Sequence, residues 1–158
     1  MIQIEYLKNH PHAIPTLSLI WHEGIGKIWM PEIRIEEIES LFYEELKQDI
    51  PITYIALYDD IPVGFCTFGL SEDFRPDLSP WIADLLVEPK YQKQGIGKML
   101  LNAACEKAKE LRFKKLYLFT FDSNIPKYYE RLGWKKIGMG EYKLLGPKGP
   151  SFRTRLTA

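Results

Sequence analysis

The segment VEPKYQKQGIGKMLL, Val87 to Leu101, joins one apolar run to another through Gly95 and Gly97, with Gln92, Lys93, Gln94 and Lys98 gathered around them. A helix that starts directly after a strand leaves its first backbone N–H groups without intrahelical acceptors and points the positive end of its dipole at the junction. Glycine at such a point lets a ligand approach the main chain and permits positive φ. The chemistry on offer is anion binding, with phosphate the usual guest. A tight turn of purely structural purpose is an equally good reading of a GxG on its own. Two familiar phosphate loops do not fit. The dinucleotide fingerprint needs a third glycine where Leu100 stands, and the P-loop needs Ser or Thr after Gly97-Lys98, where the chain has Met99.

Other residues offer proton chemistry. Asp84 is the one acidic residue inside the run WIADLLV, and a carboxylate set among apolar neighbours has its pKa raised toward that of a general base. A structural aspartate is the competing reading. Strand alternation sets Asp84 opposite Ala83 and Trp81, so only one of these sets faces a ligand unless a bulge intervenes. Trp81 lines an acceptor pocket or, by default, packs in the core. His22 and Glu23, beside Gly24, are weaker base candidates, and His10 and His12 read as surface polar residues rather than a metal pair; no metal is required. Cys66 and Cys105 have no CxxC spacing, which suggests neither a disulfide framework nor a zinc site. Reduced thiols fit a cytoplasmic protein.

The elements that must position these groups follow from periodicity. Ile2 to Leu7 alternates as a strand, and Pro11 to about Ile28 reads as a helix broken by Gly24 and Gly26. A second helix is expected over Ile33 to Lys47. ITYIALY and VGFCTFGL flank DDIP as a hairpin, and the loop SEDFRPDLSP leads into a strand from Trp81 to Val87 that Pro89 ends. After the glycines, Ile96, Leu100, Ala104, Ala108 and Leu111 share one helix face, ending near Arg112. KKLYLFTF is a buried strand, Pro126 opens a short helix that stops at Gly133, and WKKIGM, EYKLL and SFRTRLT complete the chain as short strands. The order is that of an α/β layer fold with a mixed sheet.

Composition bounds the rest. A chain of 158 residues, 46% hydrophobic, suits one well-cored domain spanning 1–158. Lys+Arg and Asp+Glu are each 21, so net charge gives no case for nucleic acid or a membrane surface. No apolar stretch approaches the ~18 residues of a membrane span. The charge is nonetheless uneven. Trp21 to Ile50 holds eight acidic residues against three Lys or Arg, whereas Glu88 to Lys115 holds eight Lys or Arg against three acidic. Solvated helix faces explain this as readily as an anionic ligand beside the basic half.

The full run V-E-P-K-Y-Q-K-Q-G-I-G-K resembles the acyl-CoA loop of the GNAT (GCN5-related) N-acetyltransferase superfamily, whose pattern V-x-P-x-x-[RQ]-x-x-G-x-[GA] is met at Val87, Pro89, Gln92, Gly95 and Gly97. IPKYYERLGWKKIG resembles the superfamily's second hallmark, a tyrosine late in a short helix followed by Gly-aromatic. The match is good over Trp81 to Ile137; the N-terminal third fits only in element order.

The resemblance implies a mostly antiparallel sheet, splayed in the middle, with helices on both faces. It also implies acetyl-CoA as co-substrate, backbone groups of Leu85, Leu86 and Val87 pairing with pantetheine, and Gln92, Lys93, Gln94, Gly95, Ile96, Gly97 and Lys98 around the pyrophosphate. Lys93 stands where the family commonly has glycine. The usual asparagine seven residues before the tyrosine is Asp122, with Asn124 two positions later as the remaining cofactor contact.

The implied reaction is direct acetyl transfer to a primary amine. An alkylammonium of pKa about 10.4 loses its proton at a cost of roughly 4 to 5 kcal/mol at pH 7, with Asp84 or ordered water as base. Tyr129 then hydrogen-bonds the departing thiolate, full proton transfer being uphill by about 2 kcal/mol, while Tyr128 packs. Without the resemblance, a core aromatic is the better reading of Tyr129. The acceptor is a small amine or, since RPDLSPW and YYERLGW resemble a branch that includes peptide N-terminal acetyltransferases, a peptide N-terminus. A non-catalytic acyl-CoA-binding module is the alternative. The β-rich C-terminus suggests, by analogy alone, a homodimer.

Overall fold

The computed structural model describes residues 1–70, 76–119, 126–141 and 148–155. In chain order these form β1 (Ile2–Tyr6), α1 (Ile14–Trp21), α2 (Ile35–Glu45), β2 (Ile52–Tyr58), β3 (Ile61–Gly69), β4 (Trp81–Val87), α3 (Ile96–Glu110), β5 (Lys115–Phe119), α4 (Pro126–Arg131), β6 (Lys135–Glu141) and β7 (Lys148–Arg155). The strands make a seven-stranded sheet in the order β1-β2-β3-β4-β5-β7-β6. Every step is antiparallel except the parallel β4–β5 step. This is the mixed, mostly antiparallel α/β sheet that the sequence leads one to expect.

Local chemistry accounts for the elements. The β2–β3 hairpin turns at Asp59 and Asp60, whose φ values of 47° and 70° are both left-handed, as a two-residue type I′ turn requires and as aspartate tolerates. In α3, Ile96, Leu100, Leu101, Ala104 and Ala108 form one buried stripe. It packs against Ala56, Cys66, Phe68, Ile82, Leu116 and Leu118 of the sheet. The helix ends when Arg112 turns left-handed (φ 67°) and the amides of Arg112 and Phe113 close on the carbonyls of Lys109 and Ala108 at 2.9 Å each, a Schellman stop made without glycine. The opposite sheet face, carrying Ile55, Leu57 and Phe65, is covered by Leu7 and by Ile14, Leu17 and Trp21 of α1 with Ile38 and Phe42 of α2. Truncating a residue as buried as Leu100 to alanine would cost about 2–5 kcal/mol.

The chain departs from expectation at α1. Gly24 and Gly26 do not break the helix; it continues as a π turn over His22–Gly26 and a last helical turn at Lys27–Trp29. Their use is steric. A Cβ on Gly24 would lie 2.7 Å from Leu86 Cδ2, and one on Gly26 would lie 2.5 Å from the Trp21 ring. Glycine here lets the turn press onto β4. The expected strand EYKLL is represented only by Glu141 at the end of β6, the remainder lying outside the described residues.

Candidate active site

The site begins with a fault in the sheet. β4 and β5 pair only at Trp81↔Tyr117 and Ile82↔Leu118. Just beyond, the register between β3 and β4 shifts. Thr67 pairs with Ala83 and Phe65 with Leu86, so Asp84 and Leu85 together oppose Cys66. Asp84 takes φ 57°. Such a bulge strengthens twist and bends its strand, and pairing with β5 ceases at the same point. Among the described residues, the β5-facing edge of Ala83–Val87 has no strand partner, leaving backbone groups for an extended ligand.

β4 runs into Glu88 and a short turn at Pro89–Tyr91, then into α3. Lys93 (φ 65°) and Gly95 (φ 81°) are both left-handed. Gln92 Nε2 donates to the Val87 carbonyl at 2.9 Å, tying the loop to the strand end. The first helical bond runs from Met99 N–H to the Gly95 carbonyl, so the amides of Ile96, Gly97 and Lys98 precede the intrahelical ladder, as anion sites require. A Cβ on Gly97 would sit 3.0 Å from Tyr128 Oη.

These parts enclose a cavity of about 680 Å³ lined on one side by Leu85, Val87, Gln92, Lys93, Gly95, Ile96, Gly97 and Lys98. On the other side stand Lys127, Tyr128, Tyr129, Arg131 and Leu132. Nearly all the residues expected to hold cofactor thus share one cleft. Two do not line it. Leu86 turns to the opposite face, against Gly24 and the α1 core, and Gln94 is exposed outside the lining. Asn124 lies outside the described residues. Sequence reasoning missed Lys127, Arg131 and the position of Tyr128, whose hydroxyl reaches the mouth of α3. Lys127 and Arg131 are separated by one helical turn, which was the available signal.

Tyr129 is buried in the cleft wall, in ring contact with Tyr128 and Trp134. Burial pushes its phenol well above its ordinary value, keeping it a hydrogen-bond donor. Asp84 is partly buried at the bulge, and burial pushes its carboxyl up to about 6. Glu45, at the end of α2, is pushed up to about 7, first by burial and then by the Asp84 carboxylate, against the hydrogen bond from Thr53. Thr53 Oγ1 donates to Glu45 Oε2 at 3.5 Å and lies 2.9 Å from Thr67 Oγ1. These two buried threonines carry a polar line across β2 and β3, next in register to Ala83.

His22 falls in the π turn with Nδ1 buried and unpartnered, while Glu23 is tied to Lys27 in a short ion pair. His10 and His12 are in edge-to-face ring contact. Burial raises both thiols, Cys105 to about 11, and Cys66 Sγ donates to the Leu100 carbonyl at 3.6 Å; neither is a nucleophile at neutral pH. Among the described residues there is no group of three or more metal-ligating side chains, and no helix is long and apolar enough to cross a membrane.

The site is thus a strand that bulges and parts from its parallel neighbour, a glycine-mouthed helix after it, and a cleft whose far wall carries Tyr128 at that mouth and the buried Tyr129. The chain belongs to the acetyltransferase (GNAT) family, whose model matches residues 18–134. Among curated proteins it is 31% identical over 87 residues to the spermine/spermidine N(1)-acetyltransferase of Bacillus subtilis (strain 168), a match covering 51% of this chain and 57% of that protein. The matched segment therefore spans little more than half of that relative. Among solved structures, the ribosomal-protein-alanine N-acetyltransferase of Brucella melitensis superposes with a TM-score of 0.74 at 17% identity, over 99% of both chains. The PaiA N-acetyltransferase of Thermoplasma acidophilum, solved with coenzyme A, gives 0.69 at 18% identity over 98% of this chain and 99% of that one. At these identities the structures show a shared fold.

Proposed function

We propose that this protein transfers the acetyl group of acetyl-CoA to a primary amine by direct attack. The observation that carries the reading is the cleft of about 680 Å³ in which the amides at the start of α3, the β4 edge that no described strand pairs, and the buried Tyr129 converge. The pyrophosphate rests on the amides of residues 96–98 beside Lys93 and Lys98, and pantetheine continues along β4. Asp84, ionised above about pH 6, accepts the ammonium proton. The amine nitrogen then bonds to the thioester carbon, the C–S bond breaks, the Tyr129 hydroxyl hydrogen-bonds the departing thiolate, and the second nitrogen proton leaves through solvent to give the neutral amide and the coenzyme A thiol.

The acceptor is a cationic small amine or a peptide N-terminus. The excess of acidic residues between Trp21 and Ile50 supports a cationic acceptor, and the partial similarity to a spermine/spermidine N(1)-acetyltransferase supports a polyamine. Two unpaired thiols support a cytoplasmic location. A homodimer would extend the sheet at its outer edge, β6.

Coenzyme A release measured over polyamines, other small amines, aminoglycosides and N-terminal peptides tests the reading. Turnover on one class, cut about 100-fold by Tyr129→Phe, supports it. Cofactor binding without turnover on any acceptor would instead identify a non-catalytic acyl-CoA-binding module.

A further inference from the structure

The cleft holds more positive charge than a diphosphate needs. Lys93 and Lys98 flank the glycines of the β4–α3 junction, and Lys127 and Arg131 line the same cavity from α4. Among the described residues, no carboxylate lines it. None of the four cations is ion-paired with a described residue, whereas Lys27, Arg34, Lys47, Lys90, Lys107 and Lys109 each have a carboxylate partner. Lys127 and Arg131 stand four apart and so share a face of α4. The Tyr128 hydroxyl, close against Gly97, brings this wall to the mouth of α3. Four like charges around one cavity repel each other until a ligand of comparable negative charge enters.

A diphosphate diester supplies about two negative charges, which the α3 amides with Lys93 and Lys98 match; the α4 pair is left over. Coenzyme A carries one further anionic group, the 3′-phosphate of its ribose. As a monoester it adds about −1.5 to −2 at neutral pH, bringing the ligand close to four charges. Arginine suits such a group because its planar fork meets two phosphate oxygens at once, while lysine adds a point charge.

The geometry points to Lys127 and Arg131 of α4 as a binding site for the ribose 3′-phosphate, by which this chain distinguishes coenzyme A from its dephospho form. The inference rests on the reading of the cleft as an acetyl-CoA site and extends it to a second phosphate subsite on a separate element.

Calorimetric titration of the full chain with coenzyme A and with 3′-dephospho-coenzyme A, at low salt, tests it. The wild type is expected to bind coenzyme A at least about tenfold more tightly, as one charge-assisted contact implies. Lys127→Gln combined with Arg131→Gln should bring that ratio close to one by weakening coenzyme A alone. Lys98→Gln should weaken both ligands alike. Equal affinity of the wild type for the two ligands, or a double variant that weakens both in proportion, would overturn the α4 subsite and leave the acetyl-CoA reading intact. Failure of the wild type to bind either ligand would remove that reading and this inference with it. Arg131→Lys, keeping charge but losing the fork, should fall between the wild type and the double variant.

Discussion

Two cavities open at different ends of the sheet, and they treat charge in opposite ways. The cleft between β4 and α4, about 680 Å³, is lined, among the described residues, by four cations and no carboxylate. The smaller cavity beside α2 and β2, about 210 Å³, mixes Glu45 and Asp49 with Lys8 and Lys107. There Lys107 is already engaged, 3.3 Å from Glu110 and 5.7 Å from the Tyr6 ring centroid. Glu45 reaches inward to Thr53 and toward Asp84, where burial holds both carboxyls above their ordinary values. On the proposed function, the contrast matches the two tasks of acetyl transfer, with the large cleft on the cofactor side and Asp84 and Glu45 on the acceptor side. Phosphates call for cations and amides that nothing else has neutralised, whereas an ammonium proton calls for a carboxylate whose charge the fold leaves poorly solvated.

Asp84→Asn should break the acceptor side most severely. Asparagine keeps the shape and tolerates the left-handed backbone that Asp84 adopts at φ 57°, so the bulge should survive. We expect kcat to fall about 100- to 1,000-fold, with acetyl-CoA affinity unchanged by calorimetry. In the wild type, kcat/KM should rise with pH through about 6 as Asp84 ionises, and this limb should vanish in the variant. A rate within a few-fold of wild type would assign proton removal to water or another group. The same substitution should stabilise the fold at alkaline pH. A carboxyl whose folded pKa is raised contributes stability that is present at low pH and lost as pH rises through that value, so removing the charge should gain roughly 1–2 kcal/mol at about pH 8.

Gly97→Ala sharpens the other side. Its Cβ would meet Tyr128 Oη at 3.0 Å, a contact that yields only if the hydroxyl moves. The expected result is about tenfold weaker acetyl-CoA binding, roughly 1.4 kcal/mol, with kcat at saturation little changed. A fall in kcat at unchanged affinity would mean that Gly97 serves the neighbouring Tyr129 rather than the cofactor.

Glu45→Gln should act more gently, through charge alone. With both carboxyls raised, to about 6 and about 7, wild-type stability should decline as pH rises through that window, and the variant should flatten the decline. Because burial alone raises Asp84, and Glu45 is still largely neutral when Asp84 ionises, the kcat/KM limb should stay near pH 6 in the variant. Thermal melts and rate profiles across about pH 5 to 8 check both; a limb that moves to lower pH would show that the Glu45 charge acts on Asp84.

How much of this was legible in the sequence differs between the two sides for a physical reason. The cofactor side is local: a strand end, a proline, a left-handed Gly95 and a helix with one apolar stripe are consecutive, so periodicity and turn chemistry place them together. The acceptor side is assembled by register. Asp84 is visible in WIADLLV, but its surroundings depend on a bulge against Cys66 that no alternation rule reveals. Glu45 is one glutamate in an acidic helix; only the pairing of Thr53 with Thr67 across β2 and β3 singles it out. Gly24 and Gly26 looked like helix breakers because their use, contact with Leu86 and Trp21, is tertiary.

The smallest expected effect lies at Lys93, where family pattern and backbone meet. The pattern commonly has glycine here, and the structure supplies the reason: φ is 65°, left-handed, which costs an L-residue about 1–2 kcal/mol relative to the right-handed helical region. Lysine therefore holds a strained backbone at the mouth of a cleft whose proposed ligand is an anion. Lys93→Gly should relieve the strain while removing one cation. Glycine's greater freedom in the unfolded chain offsets part of the gain, so stability should rise by less than about 1 kcal/mol, read as a small increase in Tm. Acetyl-CoA affinity should fall a few-fold at low salt and converge with wild type at high salt, since an exposed charge is screened. If affinity instead holds at every salt concentration, the side chain does not contribute its charge to the cofactor. The burden on that wall would then shift to Lys98 and the backbone amides of α3.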